Sequence, residues 1–253
     1  MTKNNLKFWK TFYKIRYYYS ITEKQTADEI KFVKEFLPIE KYKNILDFIC
    51  GFGRHSIELA KIGYNVEGFD IDKESIKNAK KIINQVNLKN IKFYKKDALK
   101  FKKRNFFDAT ICLYSSIGFL DEKLNDLTFA NLFKTIKVGG RIILDVMNPD
   151  WAIKNLKSYS EKKIIYKRRN YTVSHNREIL NNPTREKNAI KFIEKDSGKI
   201  DIISYTLQLY YYKELQEKFI KNNFKIYKKF GSFKKDCISS NNQRIIIVAD
   251  RFS

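Results

Sequence analysis

The sequence predicts an α/β fold in which a doubly wound parallel sheet carries an inserted antiparallel β subdomain and an N-terminal helical lid. Between residues 43 and 147, short apolar runs alternate with amphipathic stretches, which is typical of parallel strands joined by helices. Seven of the nine glycines lie between residues 51 and 140, so the special backbone positions belong to this part. Residues 158–211 are polar, with short alternating runs and no long helix, and this pattern predicts the antiparallel insert.

The α/β part begins after an N-terminal stretch with helical spacing. Residues 5–36 carry apolar and aromatic side chains, and Thr26 is expected to cap a helix that ends before Pro38. Five apolar runs then predict strands, and the stretches between them have the apolar period of helices. The predicted strands are residues 43–48, 64–70, 91–95, 106–115 and 138–147.

The C-terminal part returns to the α/β pattern. Residues 213–223 have helical spacing, and residues 224–230 and 244–250 are predicted to form the last two strands. The chain is therefore divided into a lid over residues 1–37, an α/β core over residues 38–157 and 212–253, and an insert over residues 158–211.

The charge of the chain allows two interpretations. Its 51 Lys and Arg against 28 Asp and Glu give a net charge of +23, which would suit a nucleic-acid binder. However, Lys, Ile, Asn and Tyr are abundant while Gly, Ala and Pro are scarce, a bias that AT-rich coding produces in any protein. The basic residues are spread along the chain, which favours coding bias and leaves a polyanionic partner open.

Composition also bears on location. No apolar run is long enough to cross a bilayer, and the N-terminus lacks the apolar region and cleavage site of a signal peptide. The widely spaced Cys50, Cys112 and Cys237 form neither a disulfide framework nor a zinc site. We expect a cytoplasmic protein with no membrane contact and no bound metal.

The stretch ILDFICGFGRHSIELAKIGYNVEGFDID carries the strongest functional signal. Gly51 and Gly53 follow a strand that contains Asp47, and Asp70 ends the next strand. A glycine-rich turn lets backbone approach a ligand at a helix N-terminus, and an acid at the end of the next strand accepts ribose hydroxyls. The pattern predicts an adenosine-containing cofactor. The glycine spacing of nicotinamide sites is not continued, since no third glycine follows in Arg54-His55-Ser56.

The loop D-F-I-C-G-F-G resembles the first motif of class I S-adenosylmethionine-dependent methyltransferases, in which an acid precedes the glycines. KKDALKF, FFDATICLYSSIGFLDE and IKVGGRIILDV are similar to later motifs of that family. The stretches LYSSIGFLDE and ILDVMNPDW, with the C-terminal region, resemble small-molecule methyltransferases that have an antiparallel insert, among them sugar N,N-dimethyltransferases. The resemblance implies a Rossmann-like methyltransferase core, S-adenosyl-L-methionine as cofactor and S-adenosyl-L-homocysteine as product.

The resemblance also implies where the cofactor lies. It places the ribose at Asp70, the adenine at Asp97 and Ala98, and the methionine part against the backbone of Gly51 and Gly53. The expected cofactor contacts are Tyr17, Thr26, Asp47, Cys50, Gly51, Gly53, Arg54, Asp70, Ile71, Asp97, Ala98 and Leu113. The expected acceptor contacts are Ser115, Ser116, Asn148 and Trp151.

One residue of the loop departs from the family pattern. Ile49 stands where the most common motif has glycine, and its β-branched side chain is expected to exclude a positive φ. The departure leaves open a third class of function, a non-catalytic scaffold that binds the cofactor without turnover.

The sequence lacks the residues that two kinds of nucleic-acid methylation require. Methyltransferases that act on the exocyclic amines of bases carry an (N/D)PP(Y/F) turn after the fourth strand, where this chain has Ser115-Ser116-Ile117-Gly118. Cytosine C5 methylation needs a cysteine nucleophile in that region. We therefore expect a small-molecule acceptor that is methylated on N or O, such as a sugar or nucleotide-linked metabolite. An RNA-directed methyltransferase is the alternative.

Three side chains are candidates for catalysis. Asp145 and Asn148 follow the fifth strand, at the edge where open α/β sheets bind ligands, although Asp150 could cap a helix there. His55 begins the helix under the cofactor, where a structural hydrogen bond is the more frequent role. His175, in the insert, is expected to be a surface histidine.

The insert is expected to select the acceptor, either directly or through a homodimer contact that covers the methyl group. It should emerge beside Asp145 and Asn148, on the side that the core loops do not reach. Its excess of basic residues favours an anionic acceptor, such as a nucleotide-linked sugar or a carboxylate. The basic residues include Lys162, Lys163, Lys167, Arg168 and Arg169.

Overall fold

A computed structural model describes residues 21–166 and 169–253. Tyr17, Lys167 and Arg168, and the first twenty residues of the predicted lid, lie outside the described residues. The helices are α1 (Glu23–Phe36), α2 (Arg54–Lys61), α3 (Lys73–Gln85), α4 (Glu122–Lys134), α5 (Pro149–Asn155) and α6 (Tyr212–Lys221). The strands are β1 (Asn44–Phe48), β2 (Asn65–Asp70), β3 (Ile91–Lys95), β4 (Phe107–Cys112), β5 (Ile136–Met147), β6 (Tyr159–Tyr166), β7 (Arg169–Leu180), β8 (Arg185–Glu194), β9 (Ile200–Gln208), β10 (Phe224–Phe230) and β11 (Arg244–Arg251).

Seven strands form the central sheet, in the order β10-β11-β5-β4-β1-β2-β3. The first five strands, β1 to β5, are next to one another in this order, and each pair of neighbours runs parallel. The predicted parallel sheet is confirmed for these five strands, whereas β11 runs antiparallel to both β5 and β10. The chain passes from β10 to β11 without a crossover helix, and strands joined in this way pair antiparallel.

Helices cover both faces of this sheet, so the doubly wound prediction is confirmed. On one face, Val33 of α1, Ile57 of α2 and Ala79 of α3 are buried in a single apolar cluster. On the other face, Phe133 of α4 and Phe219 of α6 pack with ring centroids 4.9 Å apart. This two-faced burial explains why the strands read as continuous apolar runs in the sequence.

The N-cap of helix α1 is Thr22, four residues before the predicted cap Thr26. Thr22 has the extended backbone of an N-cap, and its side chain accepts a hydrogen bond from the N–H of Gln25 at 3.1 Å. Thr26 lies inside the first turns of the helix, where its hydroxyl donates to the carbonyl of Thr22 at 3.2 Å. The prediction of Thr26 as the cap is therefore wrong.

Strands β6 to β9 form a separate four-stranded antiparallel sheet, which confirms the predicted class of the insert. The end of β9 is fastened to the core, because the N–H of Gln208 donates to the carbonyl of Gly118 at 2.8 Å. The amide of Asn125 also donates to the Gln208 side chain at 3.0 Å. Ile71 and Phe119, from the loops after β2 and β4, pack against apolar side chains of this sheet. The second sheet thus rests on the carboxyl edge of the first.

Candidate functional site

The loop between β1 and α2 brings bare backbone to the start of a helix. Gly51 and Gly53 have φ values of +56° and +77°, a conformation that glycine adopts without strain. A Cβ at residue 53 would lie 2.3 Å from Cζ of Phe93. Gly53 is the N-cap of α2 and has no side chain to bond the first turn. The first N–H groups of α2 can therefore bind an anionic ligand.

The expectation that Ile49 excludes a positive φ is wrong, because its φ is +62°. For an L-residue this left-handed conformation costs about 1–2 kcal/mol. Hydrogen bonds of the next two residues hold the turn in place. The N–H of Cys50 donates to the carbonyl of Phe69 at 2.8 Å, and the N–H of Gly51 donates to Oδ2 of Asp70 at 2.9 Å. Tertiary contacts therefore override the local preference of this β-branched residue.

Asp70 ends β2 and is 1% exposed. Its Oδ2 accepts from Gly51, and its Oδ1 accepts from the N–H of Asp72 at 2.9 Å. Burial raises the pKa of Asp70 to about 6, although the two backbone hydrogen bonds act in the opposite direction. Each carboxylate oxygen has a second lone pair, so Asp70 can brace the glycine loop and still accept hydrogen bonds from ligand hydroxyls.

A cavity of about 510 Å³ opens at the carboxyl ends of β2 and β3. Asp70 and Asp97 place carboxylates along it, while Ile71, Ala98 and Phe119 supply apolar surface. Sites for flat organic ligands combine apolar walls with a few polar groups that fix orientation. The cavity therefore suits a nucleoside, and it brings together four of the residues predicted to contact the cofactor.

Another group of predicted residues meets in a buried charge cluster beside α1. The carboxylate of Glu29 accepts from Arg54 and from the hydroxyl of Tyr114, and it lies 2.8 Å from Nε2 of His55. Arg54 also donates to Oγ1 of Thr26 at 2.9 Å. Burial raises the pKa of Glu29, but the hydrogen bond and charge of His55 and the charge of Arg54 outweigh burial and lower the pKa to about 2. Glu29 is therefore ionised across the physiological range.

Tyr114 connects this cluster to the end of β5, and sequence reasoning did not single it out. The guanidinium groups of Arg54 and Arg244 lie over its ring, at 4.8 and 4.3 Å from the ring centroid. Its φ is +63°, and its N–H donates to Oδ2 of Asp145 at 2.8 Å. Burial and the charge of Glu29 raise the pKa of the Tyr114 hydroxyl. No periodicity marks such a residue, because its partners lie in four separate segments.

The three candidates for catalysis are each held by structural hydrogen bonds. Asp145 is fully buried and accepts from Nη1 of Arg244 at 3.1 Å, and burial raises its pKa. Asn148, rather than Asp150, is the N-cap of α5, and its side-chain oxygen accepts from the N–H of Asp150 at 3.1 Å. His55 is bound to Glu29, as described above. All three side chains hold the frame of the site together.

The residues predicted to contact the acceptor lie at different depths. Ser115 is buried with φ +52°, and its hydroxyl makes no hydrogen bond to the described residues. Ser116 donates to the carbonyl of Leu113 at 2.8 Å and lines the nucleoside-shaped cavity. Trp151 lies in α5 and packs against the apolar cluster around Leu207. Ser115 is thus the member of this set with a buried polar atom left for a ligand.

Three further residues that were predicted to contact the cofactor pack around the loop between β1 and α2. Asp47 accepts from the hydroxyl of Ser56 at 2.5 Å, and burial raises its pKa. The thiol of Cys50 donates to the carbonyl of Gly51 at 3.6 Å. Leu113 is part of the core cluster beneath α1 and α2. Their side chains fix the shape of the loop.

His175 is a second correction, because it is 6% exposed where a surface position was expected. Its Nε2 bonds to the side-chain oxygen of Asn188. Val173 and Arg177, two residues to either side in β7, share its face of the sheet. The polar sequence of this segment gives no signal for the side on which His175 lies.

Two negative observations apply to residues 21–166 and 169–253. Within these ranges, no three His, Cys, Asp or Glu side chains are grouped to hold a metal ion. The helices of the same ranges are too short or too polar to span a bilayer.

The family model for a methyltransferase domain matches residues 39–218. The match covers more than half of the chain and includes the glycine loop, Asp70 and Asp97. The chain belongs to the methyltransferase-domain family. The resemblance to methyltransferases that the motifs indicated is confirmed.

This methyltransferase is similar to YqeM of Bacillus subtilis, with 33% identity over 119 residues that cover 46% of each chain. The matched stretch spans about half the length of the curated relatives. An S-adenosylmethionine-dependent methyltransferase from Clostridium acetobutylicum has a TM-score of 0.77 at 16% identity, over 98% of both chains. The sugar N-methyltransferase KedS8 from Streptoalloteichus has a TM-score of 0.71 at 15% identity, over 97% of this chain and 93% of that one. At these identities the solved structures show a common fold.

Proposed function

We propose that this methyltransferase transfers the methyl group of S-adenosylmethionine to a nitrogen or oxygen atom of a small-molecule acceptor. The cavity at the ends of β2 and β3 carries the proposal, because it combines the Asp70 and Asp97 carboxylates with apolar walls next to the bare loop at Gly51 and Gly53. S-adenosylmethionine, when bound, supplies a methyl group on a positively charged sulfur that an N or O lone pair can displace.

The residues present fit the parts of this donor. Asp70 would accept the ribose hydroxyls, since each of its oxygens has a lone pair beyond its backbone bond. Asp97 and Ala98 would hold the adenine edge and face. The first N–H groups of α2, with Arg54 at its first position, would bind the carboxylate of the methionine part. The ring of Phe93 occupies the space that a Cβ at residue 53 would need, so the loop requires glycine there.

Several observations support a small acceptor over a polymer. KedS8, which shares the fold, is described as a sugar N-methyltransferase. The turn after β4 lacks the prolines of base-modifying enzymes, and it instead carries the buried Ser115 hydroxyl. The second sheet covers the carboxyl edge of the core through Ile71 and Phe119, which narrows access from that side. Homodimer formation and a cytoplasmic location stay predictions.

Calorimetric titration with S-adenosylmethionine tests the cofactor part of the proposal. Asp70→Ala removes a carboxylate that would accept two ligand hydrogen bonds, so binding should weaken by about 2–4 kcal/mol. Asp121→Ala is the control, because it removes an aspartate that caps α4 outside this cavity. Unchanged affinity in Asp70→Ala would sink the assignment.

The net charge of +23 is the observation that favours an RNA-directed enzyme. Filter binding at two salt concentrations separates the two functions, because RNA affinity should fall by about 0.7 log units per phosphate contact for each decade of salt. We expect weak RNA binding at physiological salt and no methyl incorporation into RNA. Tight binding that survives physiological salt, with methyl groups in RNA, would overturn the small-molecule proposal. Cofactor binding without turnover on any acceptor would indicate a scaffold.

A further inference from the structure

A second cavity, of about 630 Å³, lies on the inward face of the four-stranded sheet. In β6 and β7, Ser160 pairs with His175 and Lys162 pairs with Val173. Directly opposed residues of an antiparallel pair share a face, so these side chains and Arg177 lie on the same side. The cavity therefore has polar and basic groups along one part of its wall. Its apolar part is formed by Ile164, Val173, Ile190 and Phe192.

This insert cavity adjoins the cofactor cavity. Ile71 and Phe119 line the cofactor cavity, and the same two side chains pack against the cluster that contains Val173, Ile190 and Phe192. One apolar cluster therefore contains side chains that line each of the two cavities. A molecule that presents one atom to the methyl group could place a distant part in the insert cavity.

The polar part of the insert cavity is a buried network. His175 bonds to Asn188, whose amide nitrogen donates to the carbonyl of Glu186 at 3.2 Å. The Glu186 carboxylate in turn lies 3.3 Å from Nε of Arg177. Because the amide nitrogen of Asn188 is turned to a carbonyl, its oxygen faces His175 and orients the ring. Polar groups are costly in an otherwise apolar wall, so this network needs a reason.

Three charged side chains line this cavity: Glu161, Lys162 and Arg177. Arg177 is balanced by Glu186. Lys162 forms no ion pair with another residue of the described ranges. Glu161, its neighbour in sequence, also lines the cavity, and its carboxylate accepts from the hydroxyl of Tyr159 at 2.9 Å. Lys162 and Arg177 can therefore bind the oxygens of an anion, beside an apolar floor that holds a carbon skeleton.

The basic residues predicted to favour an anion divide between the two faces. Lys163 follows Lys162 in β6 and pairs with Thr172, so it lies on the outer face. Arg169 is exposed and ion-paired with Glu194 at 2.8 Å. Of the described members of that set, Lys162 alone lines the cavity, and Arg177 joins it from β7.

We propose that the insert cavity binds a carboxylate or phosphate group of the acceptor, at a point remote from the atom that is methylated. The inference rests on the proposed small-molecule methyltransferase function and names the chemical class of its acceptor. Remote binding groups of this kind orient a substrate toward the reacting atoms.

Histidine NMR can test the proposal with simple oxyanions. The chain has two histidines, so protein labelled with ¹⁵N-histidine gives one signal set from the insert cavity and one from the Glu29 cluster. Inorganic phosphate and acetate are titrated separately at constant ionic strength. We expect saturable shifts of His175 and no change at His55. A stronger response to phosphate or to acetate identifies which oxyanion the cavity prefers.

Two single-residue variants provide a matched comparison. Lys162→Met and Lys163→Met remove the same charge from adjacent positions of β6, but only the first lies on the cavity face. Both are exposed in the structure, so neither should unfold the sheet. Lys162→Met should raise the dissociation constant of the oxyanion about fivefold, and Lys163→Met should leave it unchanged. Equal weakening of oxyanion binding in both variants would overturn the proposal. The absence of a saturable shift of His175 with either phosphate or acetate would also overturn it.

Calorimetric titration of the same samples with S-adenosylmethionine keeps the two proposals apart. Normal cofactor binding with no oxyanion response would refute the insert cavity alone. Absent cofactor binding would instead refute the methyltransferase function, whatever the histidine signals do.

Discussion

Lowering the pH from 7.5 to 5 is expected to weaken the binding of S-adenosylmethionine about tenfold. Asp70 needs to be ionised, so that both of its oxygens can accept hydrogen bonds from ligand hydroxyls while it keeps those from Gly51 and Asp72. Burial raises the pKa of Asp70 in the free protein to about 6. At pH 5 most molecules therefore carry a proton on this group that binding must remove.

The magnitude follows from the ionised fraction of Asp70. With a pKa of about 6, proton removal weakens binding by a factor of about 11 at pH 5 and by almost nothing at pH 7.5, a difference of about 1.4 kcal/mol. Affinity is thus high above pH 6 and falls as the pH drops through 6. Glu29, with a pKa of about 2, stays ionised over this range and adds no slope.

Calorimetry in two buffers of different ionisation enthalpy measures both the affinity and the protons released. We expect about 0.9 proton released per cofactor bound at pH 5 and about 0.1 at pH 7. Asp70→Asn has no titrating group at this site, so it should bind more weakly and lose this pH dependence. Asp121→Asn, the corresponding change at the cap of α4, should keep it.

A dissociation constant that stays the same from pH 5 to pH 7.5, or proton uptake at pH 5, would refute the reasoning. Titration of the Asp70 carboxyl carbon by NMR then locates the error. A pKa near 4 in the free protein would mean that burial does not hold the proton, whereas a pKa near 6 would mean that the cofactor does not contact Asp70.

Three further predictions concern stability. Ile49→Gly should be about 1 kcal/mol more stable than Ile49→Ala in urea unfolding, because both remove the same contacts and only glycine relieves the φ of +62°; an alanine variant of equal stability would contradict this. Glu29→Gln should lower the free energy of unfolding by about 3 kcal/mol at pH 7. The folded pKa of Glu29 is about 2 and lies below the unfolded value of about 4.3, so this stability is present above pH 4.3 and is lost as the pH falls toward 2. Denaturation at pH 7, 4 and 3 should therefore show a loss of unfolding free energy with falling pH that depends on glutamate at residue 29. Gly53→Ala should cost about 2 kcal/mol more than Gly139→Ala, because the two residues have φ values of +77° and +78° and only the Cβ at residue 53 meets a ring; equal shifts in melting temperature would argue against the packing of Phe93.

The elements, and the cavity that Asp70 and Asp97 share, could be predicted because they depend on local patterns. Apolar runs separated by helical spacing indicate parallel strands buried on both faces, and the carboxyl ends of such strands meet at one edge of the sheet. Asp70 and Asp97 each follow such a strand, so their approach to one cavity follows from chain order. The paired glycines before α2 likewise mark a position where backbone must be bare.

The orientation of β11 and the burial of His175 were less accessible to sequence reasoning. A strand pattern does not state direction, which depends on whether the connection crosses the sheet. A histidine in a polar segment has no intrinsic side, and its face is determined by the register of β7 with β8.

The sequence by itself determined the order of elements, the family and the carboxylates of the cofactor cavity, because each depends on residues close together in the chain or on a repeated spacing. Only the tertiary structure decided which polar groups are already bonded. Asp145 meets Arg244, and Glu29 meets Tyr114, across separations of 99 and 85 residues. Ile49 takes a positive φ because distant strand ends bond its neighbours. A buried polar group must find a partner wherever the fold supplies one, and that partner leaves no periodic signal in the sequence.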